Sequence, residues 1–172
     1  MTASVVRARE AVAAVPDPEL PLVTIEELGI LRSVYLDPDT GRVTVAITPT
    51  YLGCPALETI RSDVVTALGQ AGYVDVEVMT VLNPAWSTDM ITESGRAKLA
   101  AAGIAPPGPA GTGAVPLRLS VACPRCGSAD TEELSAFGST ACKALWRCRA
   151  CRRSSRKNPT AGARTPTTMP TA

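Results

Sequence analysis

Two closely spaced cysteine pairs near the C-terminus constrain this chain more than any other feature of its sequence. Cys123 and Cys126 form one Cys-x-x-Cys pair, and Cys148 and Cys151 form another. This spacing lets both sulfurs of a tight turn point at one atom, and two such pairs at this separation are typical of a zinc ribbon. A module of about 35 residues buries too little apolar surface to fold alone. The sequence therefore predicts a structural zinc ion held by four thiolates.

An iron–sulfur cluster is the alternative for the same four residues, because four thiolates also suit a cluster. A further cysteine, Cys142, is either an ordinary ribbon residue or an alternative ligand that would favour the cluster. Residues 131–135 and 145–147 are the predicted ribbon strands, and Gly127 suits the backbone after the second thiolate.

The chain contains no histidine. This excludes Ser-His-Asp or Cys-His catalytic machinery and histidine-bearing zinc or iron sites within this chain. Any metal must be held by Cys, Asp or Glu, or by ligands from a partner.

The rest of the composition indicates a core of aliphatic residues. The hydrophobic share is 45%, but only six residues are aromatic, so Val, Leu, Ile and Ala must form that core. A net charge of +1 does not favour a surface dominated by polyanion binding. No apolar run is long enough to cross a membrane, and the charges of Arg7, Arg9 and Glu10 do not fit a signal peptide. We therefore expect a cytoplasmic protein with reduced cysteines.

A second candidate site is the segment TPTYLGCP, residues 48–55. Alternation of Val43, Val45 and Ile47 predicts a strand before it, and apolar spacings of three and four predict a helix over about 55–70 after it. Cys54 would then lie at or next to the helix N-cap, where unpaired N–H groups and the helix dipole favour a thiolate. The alternative is that Cys54 is a small buried apolar residue.

Two carboxylates, Asp17 and Glu19, lie in a rigid loop that holds three prolines. Such acids are most often surface or capping groups, so a structural role is the alternative to a functional one.

The remaining pattern predicts an α+β fold, in which helices pack on a small mixed sheet, with the ribbon as a C-terminal module. We expect a helix over 4–14, strands near 30–36, 42–48 and 74–78, and a short helix near 90–99 capped by Ser87 or Thr88. The predicted organisation is a first domain over 1–104, a Pro/Gly-rich linker over 105–116, the ribbon over 117–153 and a disordered tail over 154–172.

Several motifs resemble known families. The DPE of residues 17–19, Thr48 with the later Cys54-Pro55, and NPAWSTDMITESGRAKL at 83–99 resemble the SufT-like metal–sulfur cluster assembly domain. The segments CPRCGS, FGSTACKALWRC and CRAC within 123–151 resemble the PaaD (also PaaJ) family, whose members are subunits of bacterial phenylacetyl-CoA epoxidase.

The resemblance implies a function that the residues alone do not. It associates the first domain with iron–sulfur cluster maturation, with a transient cluster or iron ion at Cys54 and with Asp17 and Glu19 as further site residues. It also implies that the chain is a non-catalytic component of a multicomponent monooxygenase of aerobic phenylacetate degradation, whose other subunits are its partners. A scaffold subunit without a maturation role is the alternative. Members of this family continue after the last cysteine with hydrophobic residues, whereas this chain continues with polar ones, which does not favour a last ribbon strand.

Two further interpretations concern partners. One thiolate is too few for a stable cluster, so a homodimer could bring two copies of Cys54 together. A nucleic-acid-binding ribbon is the weaker alternative, because runs of charge are usually only solvated. It would use the basic residues of the ribbon, which are Arg125, Lys143, Arg147, Arg149, Arg152, Arg153, Arg156 and Lys157.

Overall fold

The computed structural model describes residues 4–51, 53–105, 121–136 and 143–157. The described residues form three α-helices, one 3-10 helix and two sheets, which confirms the predicted α+β class. In chain order the elements are α1 (Val5–Ala13), β1 (Leu31–Leu36), β2 (Val43–Ile47), α2 (Ala56–Gln70), β3 (Val76–Thr80), a 3-10 helix (Thr88–Met90), α3 (Glu93–Ala101), β4 (Ile104–Ala105), β5 (Thr131–Ser135), β6 (Ala144–Cys148) and β7 (Ser154–Lys157).

The first sheet has the order β1-β2-β3 and is mixed, as predicted. Strands β1 and β2 pair antiparallel, and β2 and β3 pair parallel. The parallel pair requires a crossover connection, which α2 supplies. The core of this domain consists mainly of aliphatic side chains from the sheet and the helices, and its largest fully buried members include Val12, Ile25, Val43, Val45, Ile47, Ile60, Val64, Leu68 and Leu99.

The predictions for the third strand and the last helix of this domain were partly wrong. Val74 is 99% exposed, because β3 begins only at Val76. The predicted short helix is a 3-10 turn followed by a separate helix, α3, and the cap of α3 is Thr92 rather than Ser87 or Thr88. The Thr92 hydroxyl accepts a hydrogen bond from the N–H of Gly95 at 3.1 Å, which satisfies one of the unpaired donors at the helix start.

The second sheet has the order β4-β7-β6-β5 and contains the ribbon. Strands β5 and β6 confirm the two predicted ribbon strands. Strand β4 directly follows α3 and pairs parallel with β7, so the first domain contributes an edge strand to the ribbon sheet.

Two predicted boundaries differ from the structure here. Ala105, the predicted first residue of the linker, lies in β4, and the predicted disordered tail begins with the four residues of β7. Strand β7 pairs with β4 on one edge and with β6 on the other. Backbone hydrogen bonds on both edges hold β7 in the sheet. Because its sequence is polar and has no large apolar side chains, the sequence did not predict this strand. The rest of the predicted linker and tail, and Cys142, lie outside the described residues.

Candidate functional site

The four predicted ribbon cysteines converge on one point. The Sγ atoms of Cys123, Cys126, Cys148 and Cys151 all lie within 4.8 Å of one another. Two of the separations are 3.7 Å and 3.6 Å, between Cys123 and Cys151 and between Cys126 and Cys148. Four thiolates placed tetrahedrally about 2.3 Å from one ion are about 3.8 Å apart. The four sulfurs are therefore close enough to one another to hold a metal together.

The two cysteine pairs adopt the same turn. In each, the N–H of the first cysteine donates to the carbonyl five residues later at 2.9 Å, from Cys123 in one turn and from Cys148 in the other. The residue after the second cysteine has a positive φ, 71° at Gly127 and 57° at Arg152. Glycine adopts this conformation without steric cost, but arginine does not. The second turn therefore carries backbone strain that the first avoids.

The electrostatics of these thiols also favour a bound cation. Although burial favours the neutral thiol, hydrogen bonds from the N–H groups of Arg125 and Cys126 and from neighbouring thiols lower the pKa of Cys123 to about 7. The N–H of Ser128 favours the thiolate of Cys126, but the thiols around it, with that of Cys148 foremost, and burial raise its pKa to about 12. Thiols this close cannot all ionise unless a cation compensates their charges.

Cys54 lies where the sequence predicted, at the start of α2. The N-cap is Pro55, with a φ of −68°, and Cys54 directly precedes it. The carbonyl of Cys54 accepts a hydrogen bond from the N–H of Leu57 at 3.2 Å. The side chain is half-buried and packs against the core of the first domain.

The loop before Cys54 contains the buried hydroxyl of Thr48. In the sequence, Thr48 was singled out only as part of the motif that ends at Cys54. Thr48 is 1% exposed, and its N–H donates to the carbonyl of Ile30 at 2.9 Å. Its Oγ1 has no hydrogen-bond partner within the described part of the chain. Buried hydroxyls are normally paired, so Thr48 offers an acceptor and a donor in the loop that leads to Cys54. Its place in the Thr48-to-Cys54 motif was the signal that could have identified it.

Asp17 has a structural explanation within its own loop. Its Oδ1 accepts hydrogen bonds from the N–H groups of Glu19 at 2.9 Å and Leu20 at 2.8 Å. The residue is 6% exposed, and burial raises the pKa of its carboxyl despite these hydrogen bonds. Asp17 therefore holds the loop closed, which matches the structural alternative that the sequence offered.

Glu19 contacts Lys143, one of the basic residues of the ribbon noted in the sequence. The Nζ of Lys143 donates to the carbonyl oxygen of Glu19 at 2.9 Å and lies 3.8 Å from its Oε2. The Lys143 side chain is only 4% exposed. The two residues are 124 positions apart, and no local pattern in the sequence could have revealed this contact.

The predicted site residues thus fall into separate groups. Among the described residues, the four ribbon cysteines are the only group of three or more possible ligands with such short mutual separations. Asp17 and Glu19 share the loop between α1 and β1, whereas Cys54 lies at the start of α2. The structure does not place these three residues in one compact ligand set.

Comparison with known proteins matches both modules. The profile of the iron–sulfur cluster assembly protein family matches residues 6–80, and that of the PaaD zinc beta ribbon domain matches residues 108–154. A putative 1,2-phenylacetyl-CoA epoxidase subunit of Escherichia coli K12 is 45% identical over 138 residues, which are 80% of this chain and 82% of that protein. The chain belongs to the PaaD family of phenylacetyl-CoA epoxidase subunits.

The first domain of this PaaD family member also has relatives of its own. The Fe–S protein maturation auxiliary factor SufT of Staphylococcus aureus is 39% identical over 77 residues, covering 44% of this chain and 85% of that protein. A crystal structure of a domain of unknown function, DUF59, from Bacillus anthracis is 31% identical, with a TM-score of 0.50, and covers 55% of this chain and 90% of that one. Within the described residues, no helix is both long and apolar enough to span a membrane.

Proposed function

We propose that this chain is a maturation subunit that assists assembly of an iron or iron–sulfur centre in a phenylacetyl-CoA epoxidase, and that its ribbon holds one zinc ion. The observation that carries the proposal is the combination of modules. One matches a cluster assembly family over residues 6–80, and the other matches the PaaD ribbon over residues 108–154. A domain related to maturation factors, attached to a ribbon specific to one enzyme system, fits a dedicated assembly factor better than a catalyst.

Zinc in the ribbon is supported by the separations of the sulfurs. A single ion places four thiolates about 3.8 Å apart, close to the 3.6 Å and 3.7 Å separations between paired sulfurs. A polynuclear cluster distributes its thiolates over different irons and so favours a wider spread. The ion would be structural, because all four positions of a tetrahedral site are taken by cysteines and none remains for a substrate.

Cys54 is the proposed contact with the iron or cluster that is delivered. Its place at the start of α2 exposes it to the N–H groups of the first helical turn, which favour a negatively charged sulfur. Thr48 Oγ1, buried and without a partner among the described residues, is a second polar group in the same loop. Asp17 and Glu19, in the separate loop between α1 and β1, would be further acidic groups for the delivered iron outside the contact at Cys54. One thiolate per chain makes a homodimer, or a ligand from the partner enzyme, part of the proposal.

A scaffold role without maturation is the second candidate, and it is favoured by the structural explanation of Asp17 in its loop. It predicts co-purification with the other epoxidase subunits at fixed stoichiometry, whatever residue occupies position 54. Nucleic-acid binding is less well supported, because Arg147 and Arg149 of the basic surface both pair with Glu132, at 2.6 Å and 2.8 Å. Affinity for nucleic acid that falls steeply with salt would revive it.

The decisive experiment is metal and sulfide analysis of anaerobically purified protein. Wild type is compared with Cys54→Ala and, as a matched thiol control, Cys142→Ala. We expect one zinc per chain in all three proteins, and iron or sulfide that disappears only in Cys54→Ala. The same variants expressed with the epoxidase subunits should show lower iron content of the enzyme for Cys54→Ala alone.

Other outcomes would change the proposal in defined ways. Zinc alone in all three proteins, with normal iron in the enzyme, would move the assignment to the scaffold. Loss of metal from the ribbon in Cys142→Ala would instead support Cys142 as a ligand there and a cluster in place of zinc.

A further inference from the structure

Lys143 is buried at the junction between the two modules. Its side chain is 4% exposed, and its Nζ donates to the carbonyl of Glu19 at 2.9 Å. The Oε2 of Glu19, 3.8 Å away, is buried and makes no hydrogen bond to any described residue. Desolvating an ammonium is costly unless charge and hydrogen bonds compensate it. Lys143 therefore occupies this place only while the ribbon is held against the loop of residues 16–20, here called the acidic loop.

The same junction continues through the ribbon sheet to the metal centre. Lys143 directly precedes β6, and β6 ends on the ligand Cys148. Neighbouring Ala144 pairs with Lys157 of β7, and Lys157 pairs with Ala105 of β4. Strand β6 thus has the domain junction at one end and a metal ligand at the other.

The first cysteine turn also lies near the same domain. Arg125, between Cys123 and Cys126, directs its guanidinium toward Gly103. A Cβ added to this glycine would be 3.6 Å from the guanidinium. Gly103 directly precedes β4. Both cysteine turns therefore connect to the first domain through short paths.

We propose that the metal-loaded ribbon is a partial cover for the acidic loop, in which Lys143 lies over Glu19, whose side chain is 29% exposed, and that loss of the metal releases Lys143 and exposes the Glu19 carboxylate further. Among the described residues, the ribbon sheet has little apolar core besides Ala105, Val121, Ala144 and Trp146. Without the ion it loses the interaction that orders β6, and a disordered β6 cannot hold an ammonium in a buried position. The Glu19 carboxylate is thus capped by Lys143 in one metal state and more accessible in the other. This inference rests on metal binding by the four cysteines and not on the role of Cys54.

The coupling must act in both directions. If the metal orders the acidic loop, contacts with the loop tighten metal binding by the same factor, because linkage is reciprocal. Removing the Lys143 ammonium should therefore weaken zinc binding although Lys143 is not a ligand. This effect distinguishes a coupled cover from a contact that only joins two independent domains.

Amide hydrogen exchange on the full chain tests the cover directly. Wild type is measured with Zn²⁺ and with excess chelator, and the N–H groups of Glu19 and Leu20 are followed, with α2 as the internal reference. We expect chelation to accelerate exchange at the two loop amides by about fivefold or more and to leave α2 unchanged. Loop exchange that is the same with Zn²⁺ and with chelator overturns the proposal, whatever the variants do.

Variants then assign the coupling to Lys143. Lys143→Met, with Zn²⁺ bound, should show the rapid loop exchange of the chelated wild type and a zinc affinity lower by a similar factor in chelator competition. Lys143→Arg should restore slow exchange, and Arg153→Met, at an exposed basic residue of the same ribbon, should behave as wild type. Full zinc affinity and slow loop exchange in Lys143→Met would contradict the role of Lys143. If Lys143→Met fails to hold zinc, the comparison of wild type with Zn²⁺ and with chelator alone tests the proposal.

Discussion

The two modules of this chain are stabilised by different means. The first domain has many fully buried aliphatic side chains, among them Val45 and Leu68, at 0% exposure. In the ribbon, the buried apolar cluster consists of Ala105, Val121, Ala144 and Trp146 among the described residues. The first domain buries enough apolar surface to fold by the hydrophobic effect, whereas the described part of the ribbon buries little, and the proposed zinc ion would stabilise it. Each module should therefore respond to a perturbation that leaves the core of the other folded, while the contact between Lys143 and Glu19 couples the two.

The largest expected effect is loss of a metal ligand. Cys148→Ser removes one of four thiolates, and structural zinc contributes roughly 10–16 kcal/mol in comparable small modules. We expect the variant to lose zinc and the slow exchange of β6, while the far-ultraviolet circular dichroism of the three helices persists. Cys54→Ser is the control and should keep its zinc. Collapse of the helical signal in Cys148→Ser would show that the two modules fold as one.

The reverse perturbation is a cavity in the first domain. Leu68→Ala deletes a side chain that is 0% exposed and should cost about 2–5 kcal/mol of unfolding free energy. Urea unfolding followed by helical circular dichroism measures this loss, and the zinc content should stay at the wild-type value. Val65→Ala, on the same helix but 46% exposed, should change stability by less than about 0.5 kcal/mol. Equal losses in both variants would contradict the burial of Leu68.

A smaller effect is expected in the acidic loop. Asp17→Ala removes the acceptor of two backbone N–H groups and should cost about 1–3 kcal/mol. Asp17→Asn keeps an oxygen acceptor without a charge. Because burial raises the folded-state pKa of Asp17, ionisation of this carboxyl lowers stability as pH rises through that pKa.

The asparagine variant should therefore gain stability relative to wild type as the pH rises from about 4, the ordinary pKa of an aspartate, towards neutral. Urea unfolding at several pH values measures this difference. A constant difference over that range would show that Asp17 titrates as it does in the unfolded chain.

The smallest effect tests the strain in the second cysteine turn. Arg152 has a φ of 57° where the first turn has a glycine, so Arg152→Gly should stabilise the ribbon by up to about 1 kcal/mol. Chelator competition should then show zinc binding tighter by up to about fivefold. Arg153→Gly, at the next residue, is the control and should give no gain. Weaker zinc binding in Arg152→Gly would show that the arginine side chain contributes more than its backbone strain costs.

The sequence predicted the features that depend on local patterns. Alternation predicted β2, helical periodicity predicted α2, and the spacing of the cysteines predicted that the pairs of Cys123 and Cys148 would converge. The contact between Lys143 and Glu19 was missed because it depends on how two distant segments meet. Strand β7 was missed because backbone pairing with β4 and β6 holds it in the sheet. Its polar side chains show no pattern that would have predicted this pairing.

Strand β4 limits how the ribbon can be transplanted. A graft that begins after Ala105 would leave one edge of β7 with unpaired N–H and C=O groups, and such an edge recruits strands from other molecules. An engineer who moves the ribbon to another protein must carry Ile104 and Ala105 along, or supply two residues of matching register from the new host. The natural unit of exchange is therefore the ribbon together with the last two residues of the domain before it.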